Sequence, residues 1–168
     1  LRQWGRIDIL VNNVGWVYDR LFVEKPREEW EKEIALNLWS VINGTRAVIE
    51  PMIERKYGKI VNIASDAGRM GEYREAVYAG CKGGVIAMSK SIAREVGRYG
   101  INVNVVCPGA TAPESPEDVG GKSMWAPGGG LAAYNTPEVL EKMAKAYPLR
   151  RLGKSEDTAN AVLFLASD

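Results

Sequence analysis

The sequence contains no histidine and only two cysteines, and these two shortages exclude several kinds of catalysis. Without histidine, neither a Ser-His-Asp nor a Cys-His mechanism is possible, and a catalytic zinc site loses its commonest ligand. Cys81 and Cys107 form neither a disulfide framework nor a metal-ligand spacing, which favours a reduced, cytoplasmic setting with no metal site. Acid–base chemistry near neutral pH must therefore come from tuned tyrosine, lysine, cysteine or carboxylate side chains.

The charge balance and the lengths of the apolar runs exclude two further classes of protein. The net charge is +1, so nothing indicates a nucleic-acid partner or an anionic membrane surface. No apolar run approaches the ~20 residues that a membrane helix needs. With 168 residues, 46% of them hydrophobic, the chain has the length and composition of one globular domain, 1–168.

Three short runs are nearly continuous in apolar residues, which is typical of strands buried in a parallel sheet. They cover residues 7–11, 59–64 and 101–107. Helical periodicity predicts helices over 26–55 and 74–98, with Pro51 expected to kink or break the first of them. The opening residues 1–6 have the pattern of a helix end, with Gly5 as its stop. Strands that alternate with helices predict an α/β fold.

The strongest chemical signal is a tyrosine and a lysine four residues apart, in the second long helix. Tyr78 and Lys82 would leave the same face of that helix, one turn apart. A phenol titrates near ~10 in model peptides, and a neighbouring ammonium lowers its pKa toward the range useful for general acid–base catalysis. Ser65 directly follows the second strand, at the sheet edge where α/β proteins bind ligands. Taken alone, such a pair is more often part of a solvated helix surface than of a catalytic site.

Three further motifs accompany these residues along the chain. They are Asn12-Asn13-Val14-Gly15 after the first strand, Asn37 in the first helix and Cys107-Pro108-Gly109 after the third strand. Together with Ser65, Tyr78 and Lys82, in this order and at these spacings, they resemble the short-chain dehydrogenase/reductase family over nearly the whole chain. The resemblance implies a Rossmann-like, doubly wound parallel sheet with helices on both faces, about three of whose strands lie in this chain. It also implies NAD or NADP as the cofactor.

The resemblance assigns a catalytic role to four side chains. Tyr78 would exchange a proton with the substrate oxygen, and Ser65 would hydrogen-bond the same oxygen. Lys82 would lower the pKa of the tyrosine and hold the nicotinamide ribose. Asn37, set in a distorted helical turn, would bind a water that links the lysine to bulk solvent.

The resemblance also assigns residues to the cofactor. Besides the tyrosine and the lysine, these residues are Asn12, Gly15, Pro108, Gly109 and Thr111. Asn12 would in addition brace the sheet. The family often has a threonine four residues after the glycine of Pro-Gly, against the nicotinamide amide; here that position is Pro113, and Thr111 is the nearest threonine.

Residues 110–147 form a long segment rich in proline and glycine. An irregular insertion of this length in a compact domain is usually either functional or disordered. In the family this position holds the substrate-binding loop, and the apolar and aromatic content here indicates a largely apolar alcohol or ketone. The small residues along the helix of Tyr78 are those that, in the family, pair with a second copy, which implies a homodimer or homotetramer.

The function implied by the resemblance is an NAD(P)-dependent oxidoreductase that interconverts a secondary alcohol and a ketone. A sugar-nucleotide epimerase or dehydratase with the same tyrosine and lysine is one alternative, and a non-catalytic binding subunit or inactive fragment is another. A complete doubly wound dinucleotide fold has six or more strands, so we expect the chain to belong to a longer one of roughly 250 residues. The glycine-rich phosphate loop would then lie in roughly 80 residues upstream, with one last strand downstream.

Overall fold

Three parallel strands form a single sheet in the computed structural model, which describes residues 5–168. The strands are β1 Ile9–Asn12, β2 Gly58–Ile63 and β3 Ile101–Val106, in that order across the sheet. Ile9 lies opposite Lys59, and Gly58 lies opposite Ile101. All three predicted strands are confirmed, with their ends displaced by one or two residues. The helix end predicted over 1–6 falls largely on residues 1–4, outside the described part.

Within residues 5–168, six α-helices connect and follow the strands. They are α1 Arg27–Ile34, α2 Ser40–Arg55, α3 Ala67–Met70, α4 Ala76–Val96, α5 Pro137–Ala146 and α6 Ser155–Ala166. Thr136 begins α5 by accepting a hydrogen bond from the backbone N–H of Val139, and a proline follows at the first helical position. Among the described residues, no helix combines the length and the apolar character that a membrane crossing requires.

Helices cover both faces of the sheet, as the family resemblance implied. On one face, Ile60 of β2 packs with Val48 and Met52 of α2 and with Val96 of α4. Side chains alternate between faces along a strand, so Lys59 points the opposite way. There its ammonium pairs with the carboxylate of Asp168, just beyond the end of α6, at 3.5 Å.

The first long helix differs from its prediction in two respects. A π-helical turn, Ala35–Trp39, separates α1 from α2, and Asn37 lies at its centre. The distorted turn that the resemblance implied at Asn37 is therefore confirmed. Pro51, predicted to kink or break the helix, does not break it, because α2 runs through it to Arg55. Val48 and Met52, buried against the sheet on either side of the proline, hold the helix in place despite the lost backbone hydrogen bond.

The first strand is less buried than its apolar sequence predicted. Ile9 and Val11 are 46% and 40% exposed, whereas Leu10 packs against the core formed by α2, β2 and α4. Within residues 5–168, α2 covers one face of β1, and α6 lies against β2 and β3. The prediction of burial on both faces is therefore wrong for the face that contains Ile9 and Val11.

Candidate active site

The residues that the motifs singled out follow the carboxyl ends of the three strands. Because the strands are parallel, these ends meet at one edge of the sheet, where open α/β sheets bind their ligands. Gly15 lies beyond β1, Ser65 beyond β2, and Pro108 and Gly109 beyond β3. The backbone N–H of Asp66 donates to the carbonyl of Pro108 at 3.0 Å, which ties the last two segments together.

A close approach between two glycines positions the serine segment against α4. A Cβ added at Gly68 would lie 2.6 Å from the backbone carbonyl carbon of Lys82, and one at Gly83 would lie 3.1 Å from the oxygen of Gly68. Any larger side chain at Gly68 would push α3 away from α4. The Ser65 hydroxyl oxygen also accepts the backbone N–H of Ala67 at 3.2 Å. These contacts hold the serine beside the first turns of α4.

Lys82 is the buried centre of the site. Only 2% of the residue is exposed, and its ammonium donates to the carbonyl of Ile63 at 2.8 Å. The same nitrogen lies 5.6 Å from the centroid of the Tyr78 ring. A Cβ added at Gly15 would lie 3.3 Å from this nitrogen and 3.2 Å from the side-chain oxygen of Asn37. The structure therefore brings Gly15, Asn37, Tyr78 and Lys82 together.

The electrostatics of Tyr78 differ from the prediction. Burial raises the pKa of Tyr78, and the carboxylates of Glu75 and Glu33 raise it further, while the nearby hydroxyl of Ser65 lowers it. The net shift is therefore opposite to the predicted one, because desolvation of the phenol outweighs the contributions that lower its pKa. Tyr78 is protonated at neutral pH and is suited to donate a proton.

Burial also changes the ionisation of the lysine. Desolvation lowers the pKa of Lys82 from 10.5 to about 8, because an ammonium loses more than a neutral amine when it leaves water. The group is still mainly cationic at pH 7. A cation that is held in a buried site with one carbonyl partner has N–H groups left to donate to a bound hydroxyl-bearing molecule.

Asn37 fixes the backbone that follows Gly15. Its side-chain nitrogen donates to the carbonyl oxygens of Trp16 at 2.6 Å and Glu33 at 2.8 Å. Its side-chain oxygen accepts the backbone N–H of Trp16 at 3.0 Å. These bonds clamp Trp16 onto the π-helical turn, and the role of Asn37 in a proton relay stays a prediction.

Asn12 braces the sheet, as the resemblance implied. Its side-chain nitrogen donates to Asn62 Oδ1 on β2 at 2.8 Å and to Thr45 Oγ1 on α2 at 3.2 Å. Asn62 continues the chain of bonds to Ser89 Oγ on α4 at 2.8 Å. Both side-chain N–H groups of Asn12 donate within the protein, so a contact with a cofactor would have to involve its other atoms. That contact stays a prediction.

Thr111 contacts Gly109 in its own loop and Gly153 near the start of α6. Its hydroxyl donates to the carbonyl of Gly109 at 3.2 Å, and its backbone forms an isolated parallel bridge with Gly153. Among the described residues, no hydrogen bond joins Thr111 to Tyr78 or Lys82. The cofactor contacts predicted for Pro108, Gly109 and Thr111 stay predictions.

Sequence reasoning missed two acidic residues next to the site. Glu33 is fully buried and paired with Lys25, and it lies one turn before Asn37. Glu75 precedes the first turn of α4, and burial, with the nearby carboxylates of Glu72 and Asp19, raises its pKa to about 7. The four-residue spacing from Glu33 to Asn37 to the buried Val41 is the signal that could have identified Glu33 as an inward-facing acid.

The segment 110–147 packs against the loop that follows β1. The Tyr134 hydroxyl donates to the carboxylate of Asp19, which also accepts from the guanidinium of Arg74. The Asp19 carboxylate raises the pKa of Tyr134 to about 12, so the tyrosine remains a donor. A Cβ at Gly130 would collide with the carbonyl of Val17. The segment is therefore seated directly on residues 17–19.

Comparison with known proteins gives a family and a set of relatives. A family model described as enoyl-(acyl carrier protein) reductase matches residues 1–168. The 3-oxoacyl-[acyl-carrier-protein] reductase FabG of Escherichia coli (strain K12) is 39% identical over 166 residues, which cover 99% of this chain and 62% of that protein. The 3-oxoacyl-[acyl-carrier-protein] reductase of Synechocystis is 36% identical over 168 residues, or 100% of this chain and 60% of that protein. The chain thus spans about three-fifths of the length of these curated relatives.

Solved structures show the same fold. The structure of ElxO with NADP bound superposes with a TM-score of 0.83 at 27% identity, covering 99% of this chain and 62% of that one. A tyrosine-to-phenylalanine variant of ElxO with NADPH bound gives the same TM-score at 26% identity and the same coverage.

Proposed function

This chain belongs to the short-chain dehydrogenase/reductase family, and from that membership we propose that it is an NAD(P)-dependent ketoreductase. One observation supports the proposal above the others. The phenol of Tyr78 lies near the hydroxyl of Ser65, which lowers its pKa, and beside the ammonium of Lys82, at the carboxyl edge of a parallel sheet. Two hydroxyl donors that converge in this way can bind a single carbonyl oxygen.

The residues present fit the nicotinamide end of a dinucleotide. Lys82 has N–H groups free to bind ribose hydroxyls, and the lack of a side chain at Gly15 leaves the backbone beside it open to close approach. A bound nicotinamide cofactor supplies the hydride. The two solved neighbours contain NADP and NADPH, so we propose NADP(H) as the cofactor to test first.

In the proposed reaction, the protein binds the substrate carbonyl and supplies one proton. Ser65 donates a hydrogen bond to the carbonyl oxygen and holds it against Tyr78. As negative charge develops on that oxygen, the phenol of Tyr78 transfers its proton to it. Lys82, cationic at neutral pH, stabilises the phenolate that remains. The raised pKa of Tyr78 keeps the phenol protonated at neutral pH, which is the state in which it can donate a proton to a carbonyl oxygen.

We propose that the segment 110–147 binds the rest of the substrate. It packs on residues 17–19, next to the loop whose Gly15 borders Lys82, and it buries Ala126 to 4% exposure. Met124, Trp125 and Leu131 of the same segment are partly buried. Because the relatives are 3-oxoacyl reductases by name, a 3-oxoacyl thioester is the first substrate class to test.

The experiment is a spectrophotometric assay of the purified protein. NADPH and NADH are each supplied with a 3-oxoacyl thioester or with a simple cyclic ketone, and cofactor oxidation is followed together with product analysis. We expect ketone-dependent oxidation of the cofactor, with the secondary alcohol as product.

Other outcomes distinguish the alternatives. A product formed without net cofactor turnover would indicate an epimerase or a dehydratase. Cofactor binding without any turnover would contradict the proposal and indicate a binding subunit. Oligomeric state, predicted as a homodimer or homotetramer, is measured on the same sample by light scattering.

A further inference from the structure

A buried ion pair lies beneath the site and involves none of the proposed catalytic residues. The ammonium of Lys25 bonds both carboxylate oxygens of Glu33, at 2.8 and 3.0 Å, and the two side chains are 1% and 0% exposed. Removing two charges from water is costly, and hydrophobic residues of similar volume often stabilise a fold equally well. The pair therefore calls for an explanation beyond stability.

Glu33 uses two of its groups to hold the loop that borders the site. One carboxylate oxygen accepts the backbone N–H of Tyr18 at 2.8 Å. Its backbone carbonyl accepts the side-chain nitrogen of Asn37, which in turn bonds both backbone groups of Trp16. The segment 16–18 is thus attached to the end of α1 and to the π-helical turn at alternate residues.

We propose that Glu33, held by Lys25, is a positioning residue of the site: it fixes segment 16–18 and Asn37, and so sets how closely Gly15 approaches Lys82. The inference rests on the proposed ketoreductase function. Lys25 holds the carboxylate at both oxygens, so the oxygen that faces Tyr18 cannot rotate away. Gly15 immediately precedes the clamped segment and lies within contact distance of the Lys82 ammonium.

The charge of Glu33 also reaches the reacting group. Its carboxylate raises the pKa of Tyr78, as does that of Glu75, while Ser65 opposes them. Lys25 acts in the opposite sense on Glu75, whose pKa it lowers. Lys25 thus offsets part of the charge of Glu33 at Glu75, while Glu33 contributes a hydrogen-bond acceptor to segment 16–18.

The test compares two double variants that differ in one hydrogen-bond acceptor. Lys25→Met with Glu33→Gln removes both charges but keeps an oxygen for the Tyr18 N–H, and Lys25→Met with Glu33→Leu removes that oxygen too. Neither variant leaves a buried charge without a partner. We expect the leucine variant to lose about tenfold in kcat and about tenfold in amide-exchange protection over 16–18, with KM changed less than about twofold. The glutamine variant is expected to keep both values within about threefold of wild type.

The controls separate positioning from stability and from the proposed function. Arg46→Met with Glu50→Leu removes an exposed ion pair of α2 and is expected to change neither kcat nor the exchange of 16–18. Lys25→Met with Glu33→Met repeats the loss of the acceptor if the leucine variant misfolds. Equal kcat and equal protection in the glutamine and leucine variants would overturn the inference. If wild type shows no ketone-dependent turnover, the proposed function fails. The difference in amide exchange over 16–18 between the glutamine and leucine variants then supports or overturns by itself the positioning of that segment by Glu33.

Discussion

The floor of the site and the segment that we propose binds the substrate, here called the cover, are built in different ways. The floor consists of the sheet, α2 and α4, and its polar residues Asn12, Asn62 and Ser89 are joined by buried hydrogen bonds. The cover, residues 110–147, has only short 3₁₀ turns before α5, and it contacts the loop that follows β1 through Tyr134 and through the close approach of Gly130 to Val17. We infer that catalysis is fixed by the floor and that substrate choice belongs to the cover.

The difference follows from where each part finds its hydrogen bonds. In the floor, backbone groups are satisfied within helices and between strands, so side chains such as Asn37 are free to position other segments. In the cover, many backbone groups bond within local turns, for example Gly129 N–H to Ala126 and Leu131 N–H to Met124. Such a segment can change its shape without disturbing the sheet. Four predictions test this division, beginning with the largest expected effect.

Replacing the proposed proton donor gives the most direct test of the floor. Tyr78→Phe is expected to lower kcat by about 10²–10⁴-fold, because general acid catalysis contributes that range. Binding of the cofactor, measured by fluorescence titration, is expected to change little. Tyr73→Phe, at a residue that is 72% exposed, is the matched control and should keep wild-type turnover. If Tyr78→Phe retains most of the rate, the acid–base assignment is wrong.

Replacing the buried lysine tests the floor through both activity and pH. Lys82→Met is expected to lower kcat and cofactor affinity together. In wild type, the pKa of Lys82 in the folded protein is about 8, below the ordinary 10.5. Between these pH values the unfolded chain therefore binds more protons than the folded one. The free energy of unfolding of wild type should therefore rise as the pH increases from 8 to 10.5. Urea titrations should show a smaller rise in Lys82→Met.

The control for this measurement is Lys90→Met, an exposed lysine of the same helix. Its pH dependence of unfolding should match that of wild type. A wild-type slope that persists in full in Lys82→Met would show that the lysine is not the group responsible.

Loosening the cover should change binding more than chemistry. Tyr134→Phe removes the hydroxyl that bonds Asp19, and one such bond corresponds to a change of about threefold to tenfold. We expect KM for the substrate to rise by about that factor, with kcat nearly unchanged. Hydrogen exchange should accelerate across 124–134 and not across β2. An equal fall in kcat and in kcat/KM would contradict the division between floor and cover.

The smallest effect is expected at the boundary between the two parts. Glu75 faces both Tyr78 of the floor and Tyr134 of the cover, and its pKa is raised to about 7 from 4.5. Between these pH values the folded protein binds more protons than the unfolded chain, so its stability should fall as the pH rises from 4.5 to 7. Glu75→Gln should flatten that slope in urea titrations. Glu95→Gln, at an exposed acid of α4, should leave it unchanged.

The sequence was sufficient to predict the sheet and the meeting of the main side chains. Unbroken apolar runs revealed the three strands, and the four-residue spacing placed Tyr78 and Lys82 on one face of a helix. The sign of the Tyr78 pKa shift could not be predicted, because desolvation depends on every neighbour that excludes water. Glu33 was missed for a different reason: a glutamate in a helix ordinarily faces solvent, although its four-residue spacing from Asn37 was a usable signal.

The π-helical turn Ala35–Trp39 affects how α1 and α2 are rotated relative to each other about the helix axis. Glu33, Asn37, Val41 and Thr45 are all buried at intervals of four, although each such step advances an ordinary α-helix by about 40° beyond a full circle. The π turn takes up more residues per revolution and so cancels part of that drift. Removing one residue there would rotate the two halves by about 100° relative to each other. The residues that bind segment 16–18 and the residues of α2 that pack on the sheet could then no longer face their partners at the same time.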